Sequence, residues 1–115
     1  MRDSARALVL EAPRRLVVRG FPMPVVGDDD ALVKVEACGL CGTDHEEYTG
    51  ALAGGFVFVP GHETVGIIEV IGPRAAQRWE VGAGDRVAVE VFRSCRSCPA
   101  CLAGEYRRCM RHGLA

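Results

Sequence analysis

Apolar and polar residues alternate in several short runs along the chain. In ALVKVEAC (31–38), Val33, Val35 and Ala37 oppose Leu32, Lys34 and Glu36. DRVAVEVF (85–92) alternates more cleanly, with Val87, Val89 and Val91 on one face. Period two is the spacing of a strand with one buried face. ALVLE (7–11) and LVVRGF (16–21) are rich in β-forming residues as well. IIEVI, between Gly66 and Gly72, is almost wholly apolar, which predicts a strand covered on both sides. Pro13, Pro22, Pro24 and the stretches VGDDD, AGG, VPG and VGAGD punctuate these runs. Short strands joined by glycine and proline turns predict a β-barrel or sandwich. One helix start stands out in TDHE. Thr43 with Glu46 three residues on reads as a capping box, acids fill the first turn, and Gly50 stops the helix after about two turns.

Composition narrows the picture. The chain has 115 residues, the size of one domain, long enough for a core without covalent staples. Its net charge of −1 provides no basic field for nucleic acid or an anionic membrane. No apolar run approaches the ~18 residues of a membrane span. MRDSARALVLEAPRR at the start lacks the apolar stretch of a secretory signal. A reducing cytoplasm is the expected location, so six cysteines need a reason other than disulfides.

Four of the six fall in CRSCPACLAGEYRRC. Cys95, Cys98, Cys101 and Cys109 have the spacing C-x2-C-x2-C-x7-C. Four thiolates at about 2.3 Å close a tetrahedral zinc shell and leave no position for substrate, so the role is structural. Such a shell carries a charge of about −2, and Arg93, Arg96, Arg107, Arg108 and Arg111 are placed to offset it. Three other readings compete: unligated cysteines, an iron–sulfur cluster and a nucleic-acid-binding zinc ribbon. The first three cysteines match the start of a ferredoxin run, but there the fourth follows after three residues and precedes proline. Here seven residues intervene and Met110 follows. Zinc ribbons split their ligands into two distant C-x2-C pairs, and no aromatic ladder accompanies this lobe.

A second donor set lies in CGTDHEEYTG and PGHETVGIIEVIG. Cys41 opens the predicted helix, and His62 stands where a loop enters a strand, with Glu63 beside it. One thiolate, one imidazole and one carboxylate suit a zinc site with a vacant position. On spacing alone, a hydrogen-bonded core histidine is the competing reading for His62. Cys38, at a strand end, reads as a buried small hydrophobe rather than half of a redox pair with Cys41. His112 reads as a solvated surface histidine, GDDD as a solvated turn, and Trp79 as part of a loop.

Taken together, CGLCGTD, GHETVGIIEVIG, GDRV and the four-cysteine lobe resemble the N-terminal part of the medium-chain zinc-dependent alcohol dehydrogenases, over residues 5–112. The resemblance implies a mainly β fold, a GroES-like distorted barrel with one short helix and a zinc lobe at 93–112. It implies that residues 1–115 are the catalytic domain of a longer dehydrogenase whose Rossmann domain lies elsewhere, since no G-x-G-x-x-G occurs here. Cys41 and His62 match the ligands of the catalytic zinc, and Glu63 the neighbouring carboxylate that can approach the ion. Asp44 matches the acid that receives the ligand histidine's other N–H, and Thr43 the hydroxyl that bonds the substrate alcohol. Alcohol dehydrogenase is the standard instance of a Cys₂His catalytic zinc. The third ligand lies beyond residue 115 in that family, so zinc is expected to bind Cys41 and His62 weakly in this chain, with Glu63 or Cys38 as possible substitutes.

The further implications are an alcohol or polyol substrate, NAD or NADP, a homo-oligomer for the longer protein, and no nucleic-acid or membrane partner. Two positions depart from the commoner pattern. Gly42 stands where many alcohol dehydrogenases place a basic residue, which resembles the polyol and threonine dehydrogenase branch. The relay position holds Glu46, with a histidine one residue earlier at His45.

Overall fold

Strands form in each of the segments that the sequence marks as β. The computed structural model describes residues 3–52 and 54–111. β1 (Ser4–Ala12) and β2 (Arg15–Pro22) make an antiparallel hairpin, in register from Ser4↔Pro22 to Leu10↔Leu16. Val9 and Leu10 are buried. Leu10 also receives the next layer: its N–H donates to Phe58 O at 2.9 Å and its carbonyl accepts from Val57 N at 2.8 Å. That clamp holds Val57 at φ 68°, a left-handed conformation that branched side chains avoid.

A second sheet has the order β3 (Ala31–Gly39), β4 (Glu63–Ile71), β5 (Arg86–Ala88), antiparallel throughout. β3 lies close against Gly66: a Cβ there would sit 2.7 Å from Val33 Cγ1 and 2.9 Å from the Lys34 carbonyl carbon. Only glycine permits this approach. β5 is shorter than its alternating sequence predicts, although Val89 N still donates to Thr64 O at 2.9 Å. β4 is covered on one side only. Gly66 and Ile68 are buried, while Val65 and Val70 on the other face are 37% and 41% exposed. The hairpin and the three-stranded sheet are separate, so the described strands do not close a barrel.

α1 (Gly42–Thr49) is the predicted short helix. A further helix, α2 (Pro73–Trp79), replaces the loop expected around Trp79. It starts from Pro73, whose fixed φ suits the first helical position. The acidic turn anchors it: Ala75 N donates to Asp28 O at 3.0 Å, and Arg74 and Arg78 pair with Asp29 at 2.9 and 2.7 Å. The GDDD turn is thus a dock for a helix, with Ala75 buried beneath it. α3 (Pro99–Leu102) and the 3₁₀ turn Tyr106–Arg108 belong to the cysteine lobe.

The core is smaller than the length predicts. Among the described residues only Val9, Leu10, Ile68, Ala75 and Cys98 are buried apolar side chains. The accessible surface is 8421 Å², against about 6100 Å² for a compact monomer of this mass. The radius of gyration is 15.9 Å, where about 13 Å is usual for this length. The cause is that each sheet leaves apolar side chains exposed, Val18 in the hairpin and Val65 and Val70 in the three-stranded sheet among them.

Candidate metal centres

The β3–β4 register builds the first centre. Its last pairs, Cys38↔Thr64 and Gly39↔Glu63, bring the end of β3 beside the start of β4. Cys41 lies two residues past one strand and His62 one residue before the other. The result is a Cys41 Sγ to His62 Nε2 separation of 3.2 Å. Glu63 brings a carboxylate oxygen to the same place, and the three donor atoms lie within 4.8 Å of one another.

Asp44 ties this centre to the helix. The N-cap of α1 is Cys41 and not Thr43, and the cap contact is the Cys41 N–H donating to Asp44 Oδ2 at 2.8 Å. The Thr43–Glu46 capping box predicted from sequence is therefore replaced by one two residues earlier. Strand pairing delivers the chain to the helix at Cys41, which leaves Thr43 half-buried inside the first turn. The other carboxylate oxygen, Asp44 Oδ1, is buried without a hydrogen-bond partner and faces His62 Nδ1 at 3.9 Å. A buried carboxylate oxygen in that state lacks an N–H donor, which the Nδ1 edge of His62 could supply by a small approach.

The donor set fits a divalent ion such as zinc. Zinc bonds of 2.3 Å to sulfur and 2.0–2.1 Å to nitrogen at a tetrahedral angle imply a sulfur–nitrogen separation of about 3.5 Å. The observed 3.2 Å is close to it, and the oxygen waiting behind His62 is what would fix a ligating tautomer.

Cys38 is exposed, contrary to its expected burial. Its Sγ contacts Thr64 Oγ1 at 3.6 Å, and it lies 2.8 Å from where a Cβ on Gly61 would be.

The second centre is local. The sulfurs of Cys95, Cys98, Cys101 and Cys109 lie within 4.8 Å of one another, and Cys95 and Cys101 are 3.9 Å apart. Four sulfurs tetrahedrally around zinc stand about 3.8 Å apart, so this set fits too. Cys98 is buried as the N-cap of α3. Backbone amides supply much of the stabilisation that the sequence assigns to arginine. The Ser97 amide (3.5 Å) and hydroxyl (3.6 Å), with the Cys98 amide (3.3 Å), bring the Cys95 thiol down to about 5. The Met110 amide, then that of Cys101, lowers Cys98. Burial pushes Cys101 up to about 11. One arginine joins this scheme through a relay, Arg111 Nη1 donating to Ser97 Oγ at 3.1 Å. A cluster that holds some sulfurs as thiolates and keeps another protonated is poised to exchange its protons for a cation.

Sequence reasoning missed Asp44 as the cap and the amide donors of the lobe. Asp44 could have been found from its place three residues after Cys41; the amides leave no residue-type signal. His112 lies outside the described residues.

The fold and both donor sets place the chain among known proteins. Residues 27–115 match the model of the alcohol dehydrogenase GroES-like domain, and the chain belongs to that family. It is 77% identical over 117 residues to the probable alcohol dehydrogenase adh of Mycobacterium tuberculosis, covering 100% of this chain and 32% of that protein. It is 37% identical over 111 residues to sorbitol dehydrogenase of Bacillus subtilis, covering 93% and 31%. A Sinorhizobium meliloti 1021 structure, described as a zinc-binding dehydrogenase bound to NADP, superposes with a TM-score of 0.80 at 33% identity, covering 99% and 32%. The chain therefore spans about a third of the length of the curated relatives it matches. No described helix is long and apolar enough to cross a membrane.

Proposed function

We propose that this chain is the zinc- and substrate-binding part of an NAD(P)-dependent alcohol dehydrogenase of the cytoplasm. In that reading a dinucleotide-binding domain elsewhere in a longer polypeptide, and a second copy of it in an oligomer, complete the enzyme and cover the open sheet faces. Cys41, His62 and Glu63 hold the catalytic zinc; Cys95, Cys98, Cys101 and Cys109 hold a structural one. The single observation that carries the reading is the convergence of Cys41 Sγ and His62 Nε2 at 3.2 Å with Glu63 beside them. Likeness to a sorbitol dehydrogenase and the glycine at 42 favour a polyol or secondary alcohol as substrate.

Zinc bound at the first centre supplies Lewis acidity, which lowers the pKa of a coordinated hydroxyl and makes alcohol oxidation accessible near neutral pH. The chain's own residues orient this chemistry. Asp44 Oδ1, facing the Nδ1 edge of His62 at 3.9 Å, is placed to receive its N–H while Nε2 faces the centre. The Cys41 N–H bond to Asp44 Oδ2 fixes the thiolate at the helix start. Thr43, half-buried in the first turn, contributes the hydroxyl that bonds the alcohol. Glu63 approaches as a movable carboxylate from the other strand.

Metal analysis and activity of the parent polypeptide test this together. The expected result is two zincs per chain, one lost in Cys41→Ser, and alcohol-dependent reduction of NAD or NADP that the same substitution abolishes. A colourless protein separates zinc from an iron–sulfur carrier. Unchanged metal content and activity in Cys41→Ser would overturn the reading.

A further inference from the structure

We infer that Gly39 is a positioning residue for Glu63: its missing side chain is the seat on which the Glu63 carboxylate reaches the Cys41–His62 centre. The inference rests on the metal reading above and adds to it a residue with no donor atom of its own.

Gly39 and Glu63 are direct cross-strand partners in the last pair of the β3–β4 ladder. A Cβ built on Gly39 would lie 3.1 Å from Glu63 Cβ and 3.4 Å from its carboxyl carbon, and would overlap the oxygen Oε2 outright. The glutamate side chain thus folds back across the backbone of residue 39, through the space that a methyl group would fill. One of its carboxylate oxygens is at the same time within 4.8 Å of Cys41 Sγ and a His62 ring nitrogen. No hydrogen bond or ion pair among the described residues holds that carboxylate, so the shape of the surface beneath it decides where it rests.

Backbone conformation gives no reason for a glycine here. Gly39 is not among the glycines with positive φ, unlike Gly50, Gly55, Gly61, Gly84 and Gly104. A glycine inside a strand is otherwise unfavourable, because it loses more backbone freedom than a substituted residue and packs nothing. Gly66 in the same sheet is a useful contrast. Its neighbours are the carbonyl and main chain of Lys34, which cannot retreat. At Gly39 the atom that overlaps outright is the end of a flexible, exposed side chain, and Glu63 Cβ at 3.1 Å has only a few tenths of an ångström to give. Alanine at 39 therefore moves the carboxylate and leaves the ladder in place, whereas alanine at 66 breaks the pairing itself.

The test is cobalt(II) titration of the parent polypeptide, with Cys41→Ser as the reference that assigns the visible bands of this centre. Gly39→Ala is expected to leave the lobe bands and the unfolding temperature nearly unchanged. At the Cys41–His62 centre it should weaken cobalt about ten- to a hundredfold and alter the absorption bands. Glu63→Ala should weaken it comparably, and the double variant no further than Glu63→Ala alone, since Gly39 acts only through Glu63. Should Gly39→Ala fail to fold, the double variant, freed of the obstructing carboxylate, regains the fold and the cobalt affinity of Glu63→Ala. Unchanged affinity and bands in Gly39→Ala, or losses that multiply in the double variant, would overturn the positioning role alone. A wild-type parent polypeptide that takes up no cobalt at this centre would overturn the metal reading and this inference with it.

Discussion

Cys41 Sγ and His62 Nε2 stand 3.2 Å apart although 21 positions separate them in sequence. What closes the gap is one strand register, Cys38↔Thr64 and Gly39↔Glu63, reinforced by one carboxylate. Asp44 bonds the Cys41 amide with one oxygen and faces His62 with the other.

That double duty can be split by substitution. Asp44→Ala should cost about 1 kcal/mol through the lost helix cap and weaken metal at the centre about ten- to a hundredfold. Asp44→Asn keeps an oxygen for the Cys41 N–H and should retain most of the stability, but it removes the charge facing His62. Thermal unfolding and cobalt titration in parallel check the separation, and equal losses in both assays for both variants would contradict it.

The lobe should depend on its ion. Structural zinc in small sites carries on the order of 10 kcal/mol of apparent binding free energy, and α3 has only four residues of its own. Chelation is expected to raise amide exchange across residues 93–111 while β1–β4 keep their protection. Hydrogen exchange with and without a chelator measures this. Exchange in the lobe that ignores the chelator would count against it.

Gly61 should resist substitution for two reasons. Its φ of 112° is open to glycine alone, and a Cβ would press on Cys38 Sγ at 2.8 Å. Gly61→Ala should destabilise by about 1–3 kcal/mol. Removing the thiol as well, with Cys38→Ala, should recover only the steric part, as chemical denaturation of both variants will show.

Glu36 and Arg86 clip β3 to β5 across the intervening strand, with bonds of 2.8 and 3.1 Å. The hydrogen bond from Arg86 holds the Glu36 carboxyl below its ordinary value. A depressed carboxyl contributes stability above the unfolded-chain value and loses it as pH falls through the folded one. Arg86→Gln should therefore lower the melting temperature at neutral pH, and the difference should shrink as pH falls through and below the ordinary carboxylate range. A constant difference across that range would mean that Arg86 acts through packing.

Elements carried by local pattern were legible in the sequence. β-forming composition located β1 and β2, alternation β3 and an apolar run β4, and the cysteine spacing located the lobe, because all four ligands sit within one short segment. α2 escaped because Gly72, its N-cap, has no capping side chain; Pro73 at the first position was the available clue. The start of α1 was misplaced because two boxes overlap, Cys41 with Asp44 and Thr43 with Glu46. Residue type favours the second, and strand pairing, invisible in a local window, selects the first. The Cys41–His62 centre was legible only through family resemblance, since spacing alone left His62 open to a core role. The sparse core was hidden for a related reason: alternation marks which face of a strand is apolar, but not whether anything lies on it.

The two centres also differ in how far along the chain their donors are spread, and this orders their assembly. Cys95 to Cys109 can meet while the chain is still emerging, since only a short loop has to close. The Cys41–His62 pair exists only once β3 and β4 have zipped together from Ala31↔Ile71 to Gly39↔Glu63. During refolding, thiol accessibility in the lobe should therefore fall first, and the younger site keeps time with the sheet.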